Sequence, residues 1–253
     1  MRRRTAVSGS IGLSMALAVA LAPATPASPV AATPTAPAAP AAVWQTCKVK
    51  LGGVSMTVRA TEKTRTVVDQ VSRQRARLTF WVRDETPCGF TKVVGTRKAW
   101  LGANGVMNGK TRRQGTMTTP TGTYTMTEAF GIAANPGTAL PYHRVRQGDW
   151  WVQDNNSKYY NHLRNQKQGG FAVTTRGANG SERLLDYGKQ YAHVVVINFN
   201  RAPDKRVRKR GSGIFLHVNS GRGPTAGCVS ITKAQLVTIL SQLQSGDRIT
   251  IVR

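Results

Sequence analysis

Apolar positions along this chain recur at two spacings, and most follow the shorter one. Ile214, Leu216 and Val218 alternate with Phe215 and His217, the period of a strand whose two faces meet different surroundings. The runs at 78–82, 193–197 and 249–252 are short and rich in β-branched and aromatic residues, which predicts further strands. Between them Gly102, Asn104-Gly105, Asn108-Gly109, Pro120 to Gly122, Gly148-Asp149 and Asp154 to Asn156 read as turns. One segment follows the longer period. After Thr232-Lys233-Ala234-Gln235, which has the form of a capping box, Leu236, Ile239, Leu240 and Leu243 share one helical face, so a helix with a core-facing stripe is predicted over 232–244. Many short strands beside a single clear helix predict a mainly β fold, whose folded part begins near Trp44 as one domain with an N-terminal extension.

The start of the chain departs from this pattern. Arg2, Arg3 and Arg4 precede an apolar run of twelve positions, Ile11 to Ala22, followed by small residues up to Ala32. A bilayer span needs ~20 apolar residues, so residues 1–32 read as an export signal with its cleavage site open among the small residues. An uncleaved anchor is the alternative, and the absence of a Cys near the end of the run disfavours a lipoprotein. Residues 33–43, rich in Pro, Ala and Thr, cannot bury enough apolar area to offset their ordering entropy and read as a spacer.

Candidate chemistry enters at the end of the alternating strand. Gly221, Gly223 and Pro224 force a turn after His217, and Thr225-Ala226-Gly227-Cys228 brings a thiol eleven positions past the imidazole. Only the thiolate attacks, and a base within reach can supply it at neutral pH, so a Cys and a His are the minimum equipment for nucleophilic acyl transfer. The competing reading is a Cys that is merely a small buried hydrophobe. Gly227 favours the first, because without a Cβ it lets backbone approach whatever Cys228 holds. His143, His162 and His193 stand in loops or at a strand entrance and read as structural. No His, Cys or carboxylate pair has metal-ligand spacing, so neither a metal nor another cofactor is expected.

The segment around Cys228 resembles the signature of the L,D-transpeptidase catalytic domain family, in which a strand His is followed by a loop and Ser/Thr-x-Gly-Cys. Thr119-Pro120-Thr121-Gly122-Thr123-Tyr124, with Arg113 and Gly115 ahead of it, is similar to the family's Thr-Pro-x-Gly-x-aromatic element. Trp151-Val152-Gln153-Asp154, Tyr160-Asn161 and Ser181-Glu182-Arg183-Leu184 resemble blocks of one branch of the family. The resemblance covers about residue 78 to the C-terminus, which implies a main domain over 78–253 with the N-terminal extension, 44–77, packed on it. It implies a mixed-strand β-sandwich or half-barrel with few helices, Cys228 as nucleophile and His217 as its base, the imidazole being oriented by the Val218 carbonyl. It also implies Gly227 and Cys228 amides as oxyanion donors, and substrate-binding positions at Tyr124, Trp151 and Thr225, with core packing the alternative for Tyr124. Asp154 reads as a turn cap. Two positions depart from the family pattern: Ser230 stands where many members have Arg, and Ala226 where many have His.

The implied substrates are peptidoglycan stem peptides, acylating Cys228 as a thioester that a second stem's side-chain amine then takes up. Water as acceptor would make the activity an L,D-carboxypeptidase, and a catalytically silent wall-binding module is a further alternative. Members of the family are typically acylated by carbapenems, and here the adduct is expected to form faster as pH rises through the titration of the Cys/His pair. The implied setting is secreted or wall-associated, as a monomer with no membrane insertion after signal removal. With Cys228 needed as a thiol, Cys47 and Cys88 are left as the natural disulfide in an oxidising compartment, the alternative being that Cys228 pairs and one of them is free.

Charge then adds a partner. The chain carries 36 Lys and Arg against 11 Asp and Glu, a net +25, which bears on partners rather than on fold. Arg201, Lys205, Arg206, Arg208, Lys209 and Arg210 crowd the approach to the His217 strand and suggest docking on anionic wall polymers, with a solvated, disordered loop as the alternative. A nucleic-acid binder would interleave aromatics with these cations, and none is present, so no nucleic acid is expected.

Overall fold

The structure is a computed structural model and describes residues 46–253. The export signal, the spacer and the first two residues of the extension lie outside the described residues. β1 (Thr46–Leu51) and β2 (Val54–Arg59) form an antiparallel hairpin whose turn, Gly52-Gly53, needs positive φ at both positions, 59° and 90°. A Cβ on Gly52 would meet Thr79 Oγ1 at 2.6 Å, so the turn lies against the segment carrying Thr79. β3 (Thr64–Ser72), β4 (Arg75–Arg83) and β5 (Phe90–Trp100) follow as an antiparallel meander. Next come β6 (Val106–Asn108), β7 (Thr119–Thr125), β8 (Ala129–Gly131), β9 (Tyr142–Arg144), β10 (Asp149–Trp151), β11 (Leu163–Asn165) and β12 (Glu182–Arg183). β13 (Val194–Val196), β14 (Phe215–Val218), β15 (Val229–Ile231), helix α1 (Lys233–Leu240) and β16 (Arg248–Val252) complete the chain.

Eleven strands make one mixed sheet in the order β6-β7-β16-β3-β4-β5-β15-β14-β13-β8-β9, and β11-β10-β12 make a smaller one. The expected mainly β, mixed-strand class is the one observed. The C-terminal strand β16 lies parallel to β3 and antiparallel to β7. β3 precedes residue 78, where the sequence reading began the main domain, yet it is an interior strand of the main sheet, with Val67 and Val68 1% and 0% exposed. Its polar letters hide it in the sequence. Arg65 can be buried there because the Glu62 carboxylate takes its Nε and Nη2, and the Thr250 hydroxyl accepts from Nη1 at 2.7 Å.

Cys47 on β1 is bonded to Cys88 in the turn between β4 and β5, and Cys228 is the free cysteine. Closing a loop of this length, with 41 residues of separation, contributes about 4 kcal/mol in the chain-entropy account. The bond ties to the main sheet a hairpin that has little apolar surface of its own to bury.

The capping box is present: Thr232 Oγ1 accepts from the Gln235 amide and the Gln235 side chain accepts from the Thr232 amide, both at 3.3 Å. The helix ends at Leu240, short of the predicted 244, but the Leu243 amide still reaches the Ile239 carbonyl at 3.1 Å. All four residues of the predicted stripe are buried in the main core, each contributing on the order of 1.5–3 kcal/mol of burial.

Strand alternation divides the interior into two parts. From β13 and β14, Val195, Leu216 and Val218 face the large aliphatic core under α1, whereas Val194, Val196 and Phe215 face a second cluster with Phe130, Trp151, Leu184 and Tyr191. Cys228 belongs to this aromatic cluster. The period-2 pattern around His217 therefore has a physical reading: one face of β14 builds the core, the other builds a site.

Candidate active site

β14 lies between β13 and β15, with His217 opposite Val194 and Ser230, so the imidazole is carried by a strand paired on both sides. His217 Nδ1 is 2.9 Å from the Val218 carbonyl oxygen. A carbonyl only accepts, so Nδ1 carries the proton and Nε2 presents its lone pair. Nε2 is buried with no hydrogen-bond partner. The ring meets Tyr191 edge-on, centroids 5.6 Å apart.

The Cys228 loop is held by a short backbone bridge of Thr225 to Leu101 and Ala103, both bonds at 2.9 Å, and by hydroxyls. Thr225 Oγ1 donates to the Cys228 carbonyl at 2.7 Å and accepts from the Gly227 amide at 3.1 Å. Thr119, from the Thr-Pro element, donates to the same carbonyl at 3.4 Å and accepts from the Gly102 amide at 2.8 Å. Gly227 has φ +147°, and a Cβ on it would lie 2.9 Å from both Arg112 Nη2 and the Thr118 carbonyl. Glycine is required there by conformation and by space. Because the Gly227 amide is engaged by Thr225, it is not free in this state to receive an oxyanion.

A second strap closes on the thiol from the other side. Cys228 Sγ is 3.3 Å from the Gly213 carbonyl. Gly213 is fixed in turn by Asn161, whose Oδ1 accepts from the amide of Gly213 and the indole of Trp151, both at 3.0 Å. Asn161 Nδ2 donates to the carbonyls of Phe199 and Asn200, and Tyr160 Oη accepts from the Gly211 amide at 3.1 Å. The Tyr-Asn block is thus a buckle for residues 211–213. Gln153 donates to Glu182 at 2.8 Å, and Tyr191 donates to the other oxygen of Glu182 at 2.7 Å. Asp154 caps the turn, accepting from the amides of Asn156 and Ala172.

Burial sets the charges. It drives the His217 imidazole down to about 4 and pushes the Cys228 thiol well above its ordinary value, Glu182 adding to the second effect and Arg112 opposing it. At neutral pH the resting site holds a neutral thiol and a neutral imidazole, not a preformed ion pair. Burial also raises Glu182 to about 7, its two hydrogen bonds opposing the shift. Helix α1 contributes nothing direct, since all of β15 separates Cys228 from its first turn, about 10 Å of extended chain. The buried positive group at the site is instead Arg112, 4% exposed, with Nε donating to the Thr118 carbonyl at 2.8 Å, while Arg113 and Lys209 also line the cavity. Ser230 has no charge, and the guanidinium arrives from the loop after β6.

His217, Thr225 and Cys228 line one cavity of about 870 Å³, together with Arg112, Glu182 and Tyr187. Tyr124 and Trp151 do not reach it. Tyr124 packs edge-on against Phe199 at 5.7 Å and donates to the Thr121 carbonyl, while Trp151, 1% exposed, fills the aromatic cluster against Phe215 at 4.8 Å. Both rings are large enough that the core takes them, and the sequence blocks they mark act through Thr119, Asn161 and Gln153. The sequence reading missed Arg112, one residue before the Arg113 that it quoted, because a buried Arg among 36 cations carries no local signal. Asn161 and Glu182 were visible only as members of their blocks. His143, His162 and His193 are bonded to Asp149, the Tyr160 carbonyl and Tyr142, and none lines the cavity.

The basic loop is ordered by Asn200, whose side chain joins the carbonyls of Val207 and Gly211 and the amide of Val207. Arg201 pairs with Glu128 and Arg206 donates to the Tyr160 carbonyl, so only part of the predicted cationic crowd faces outward, chiefly Lys205, Arg208 and Lys209.

A mixed β sheet that sets a thiol and an imidazole on the walls of one cavity defines a candidate cysteine acyl-transfer domain. The chain belongs to the YkuD family, the L,D-transpeptidase catalytic domain, whose family model matches residues 65–251. That match begins within β3, in keeping with the strand's place in the main sheet. No curated protein matches the chain. Solved structures that align with it include L,D-transpeptidase 1 of Mycobacterium tuberculosis, at 10% identity and TM-score 0.35, covering 79% of this chain and 67% of that one. An L,D-transpeptidase of Stackebrandtia nassauensis aligns at 12% identity and TM-score 0.34, covering 77% and 57%. L,D-transpeptidase 3 of Mycobacterium tuberculosis, in complex with a faropenem-derived adduct, aligns at 12% and 0.34, covering 83% and 68%. The family assignment rests on the family model.

Proposed function

We propose that this protein is a cysteine-dependent L,D-transpeptidase acting on peptidoglycan stem peptides outside the cytoplasm. The observation that carries the reading is the unpartnered, buried Nε2 of His217 in the cavity that Cys228 also lines. A buried nitrogen with no partner costs about 1–3 kcal/mol, a cost that a reacting group explains and a silent module does not. In the reaction, His217 Nε2 takes the thiol proton as Sγ attacks the carbonyl of the stem's diamino acid. The tetrahedral oxyanion forms against the Cys228 amide in the field of Arg112. The imidazolium returns its proton to the departing amine of the terminal D-residue, leaving a thioester on Cys228. The Cys47–Cys88 bond supports an oxidising, extracytoplasmic setting.

A tetrapeptide stem given to the purified protein is expected to lose its terminal D-residue and to yield a cross-linked dimer by mass analysis. Hydrolysed tripeptide without dimer would make the enzyme a carboxypeptidase, and unchanged stem would remove the activity. We also propose that the outward cations Lys205, Arg208 and Lys209 dock the cavity on anionic wall polymers. Co-sedimentation with wall material should then weaken as salt rises, since exposed charges are screened, and binding indifferent to salt would sink the docking role.

A further inference from the structure

Resting on the acyl-transfer reading above, we propose that Glu182 is the group that receives the acceptor's primary ammonium and takes its proton, so that the Cys228 thioester passes to an amine rather than to water. Glu182 is the acid that lines the cavity, and its partners differ from those of the other acids: buried Asp154 and Asp247 accept backbone amides. Glu62, Asp69, Glu128, Asp149 and Asp186 each face an Arg or His. Glu182 has only the neutral donors Gln153 and Tyr191, one on each oxygen, although a carboxylate can accept about four hydrogen bonds. Glu182 is half-buried and lines the cavity.

It is also next to the reacting atoms. Gly213 accepts from Cys228 Sγ through its carbonyl, and a Cβ on that same residue would lie 3.5 Å from Glu182 Oε1. Tyr191 joins the other oxygen of Glu182 to the His217 ring. A carboxylate here opposes thiolate formation, which is a cost to the donor half of the reaction. An ammonium seated on it removes that opposition and supplies the missing counter-charge.

The step balances as follows. The ammonium gives one proton to the Glu182 carboxylate, and the freed nitrogen attacks the thioester carbonyl. As the C–S bond breaks, the second proton goes to His217 Nε2 and the electron pair to Cys228 Sγ, leaving an amide. The groups that face Glu182 are Tyr187 and Tyr191 from the segment after β12, Gln153 from the segment after β10, and Cys228; Arg112, Arg113, Lys209 and His217 line the same cavity. With burial raising its pKa to about 7, Glu182 gains the ability to accept a proton near neutrality.

Glu182→Gln tests the assignment, because the isosteric amide keeps a bond to Tyr191 while the Gln153 amide can turn over to match it. Wild type and variant are given a tetrapeptide donor with either Nα-acetyl-lysine amide or hydroxylamine, a nucleophile neutral at pH 7, and the ratio of aminolysis to hydrolysis product is read by mass spectrometry. That ratio depends only on steps after the thioester. The expected result is a fall of at least about tenfold for the lysine probe, a typical lower range for loss of a positioned proton acceptor, with the hydroxylamine ratio retained. In wild type the lysine ratio should rise with pH through about 7, as Glu182 ionises, and in the variant it should not show that step. A lysine ratio within twofold of wild type, or a parallel fall for both nucleophiles, overturns the proposal. Wild type that releases no D-residue at all overturns the acyl-transfer reading itself.

Discussion

Cys228→Ala should abolish both stem turnover and the covalent adduct with a carbapenem. The nucleophile is the one atom without which no thioester exists, and where catalytic groups act as a unit its removal costs on the order of 10⁶-fold. The fold should survive, since Sγ makes a single weak hydrogen bond, to the Gly213 carbonyl at 3.3 Å, and the loop geometry is set by Thr225, Thr119 and Gly227. Intact-protein mass spectrometry with meropenem decides the point, with thermal unfolding as the check on folding. Wild type should gain a single acyl group and the variant none. An adduct of equal yield on both would place acylation on another residue, and a variant that unfolds at a much lower temperature would make Cys228 a core residue first.

How far the sequence foretold this site depends on which physical signal each part left behind. The His217 strand was legible because burial differs on its two faces, and an alternating pattern records that difference. The helix was legible from its capping box and stripe, and its end was not, since the amides of Ser241, Gln242 and Leu243 still bond back to helix carbonyls after the regular helix stops at Leu240. β3 was hidden because its first turns of chain read as polar, and only the pairing of Arg65 with Glu62 and Thr250, residues distant in sequence for the second of these, lets it enter the sheet. The straps around Cys228 were hidden for the same reason. Asn161 and Arg112 act through contacts 38 to 98 residues away, to Phe199, Asn200, Gly213 and Arg210, and Glu182 is joined to Gln153, 29 residues away. The family resemblance implies substrate contacts at Tyr124 and Trp151, whereas the packing gives both rings to the core, the alternative already open for Tyr124.

His217→Gln is the second large effect, and its pH dependence distinguishes the structure from the expectation that adduct formation rises with the titration of a Cys/His pair. Loss of a general base typically costs 10²–10⁴-fold, and Gln retains an amide that can bond the Val218 carbonyl but cannot take a proton. In wild type the imidazole must be neutral to act. Its pKa is depressed to about 4 by burial, so the acylation rate should be lost only as pH falls through about 4, where the ring gains its proton. The alkaline side should show no rise through the usual thiol range, because burial raises the Cys228 thiol, no thiolate accumulates there to speed attack, and ionisation of Glu182 near 7 opposes it further. Stability carries the same sign over a different window. A group whose folded pKa lies below its unfolded value, about 6.5 for His, loses stability as pH falls from 6.5 through 4, because the unfolded chain binds the proton first. The Gln variant should therefore show a flatter melting temperature between those values as well as a slower adduct. Measured adduct rates for H217Q within a few-fold of wild type, or a wild-type rate that climbs steadily from pH 6 to 9, would mean that the thiol is activated without His217 and that Arg112, the only guanidinium lowering its pKa, carries the burden instead.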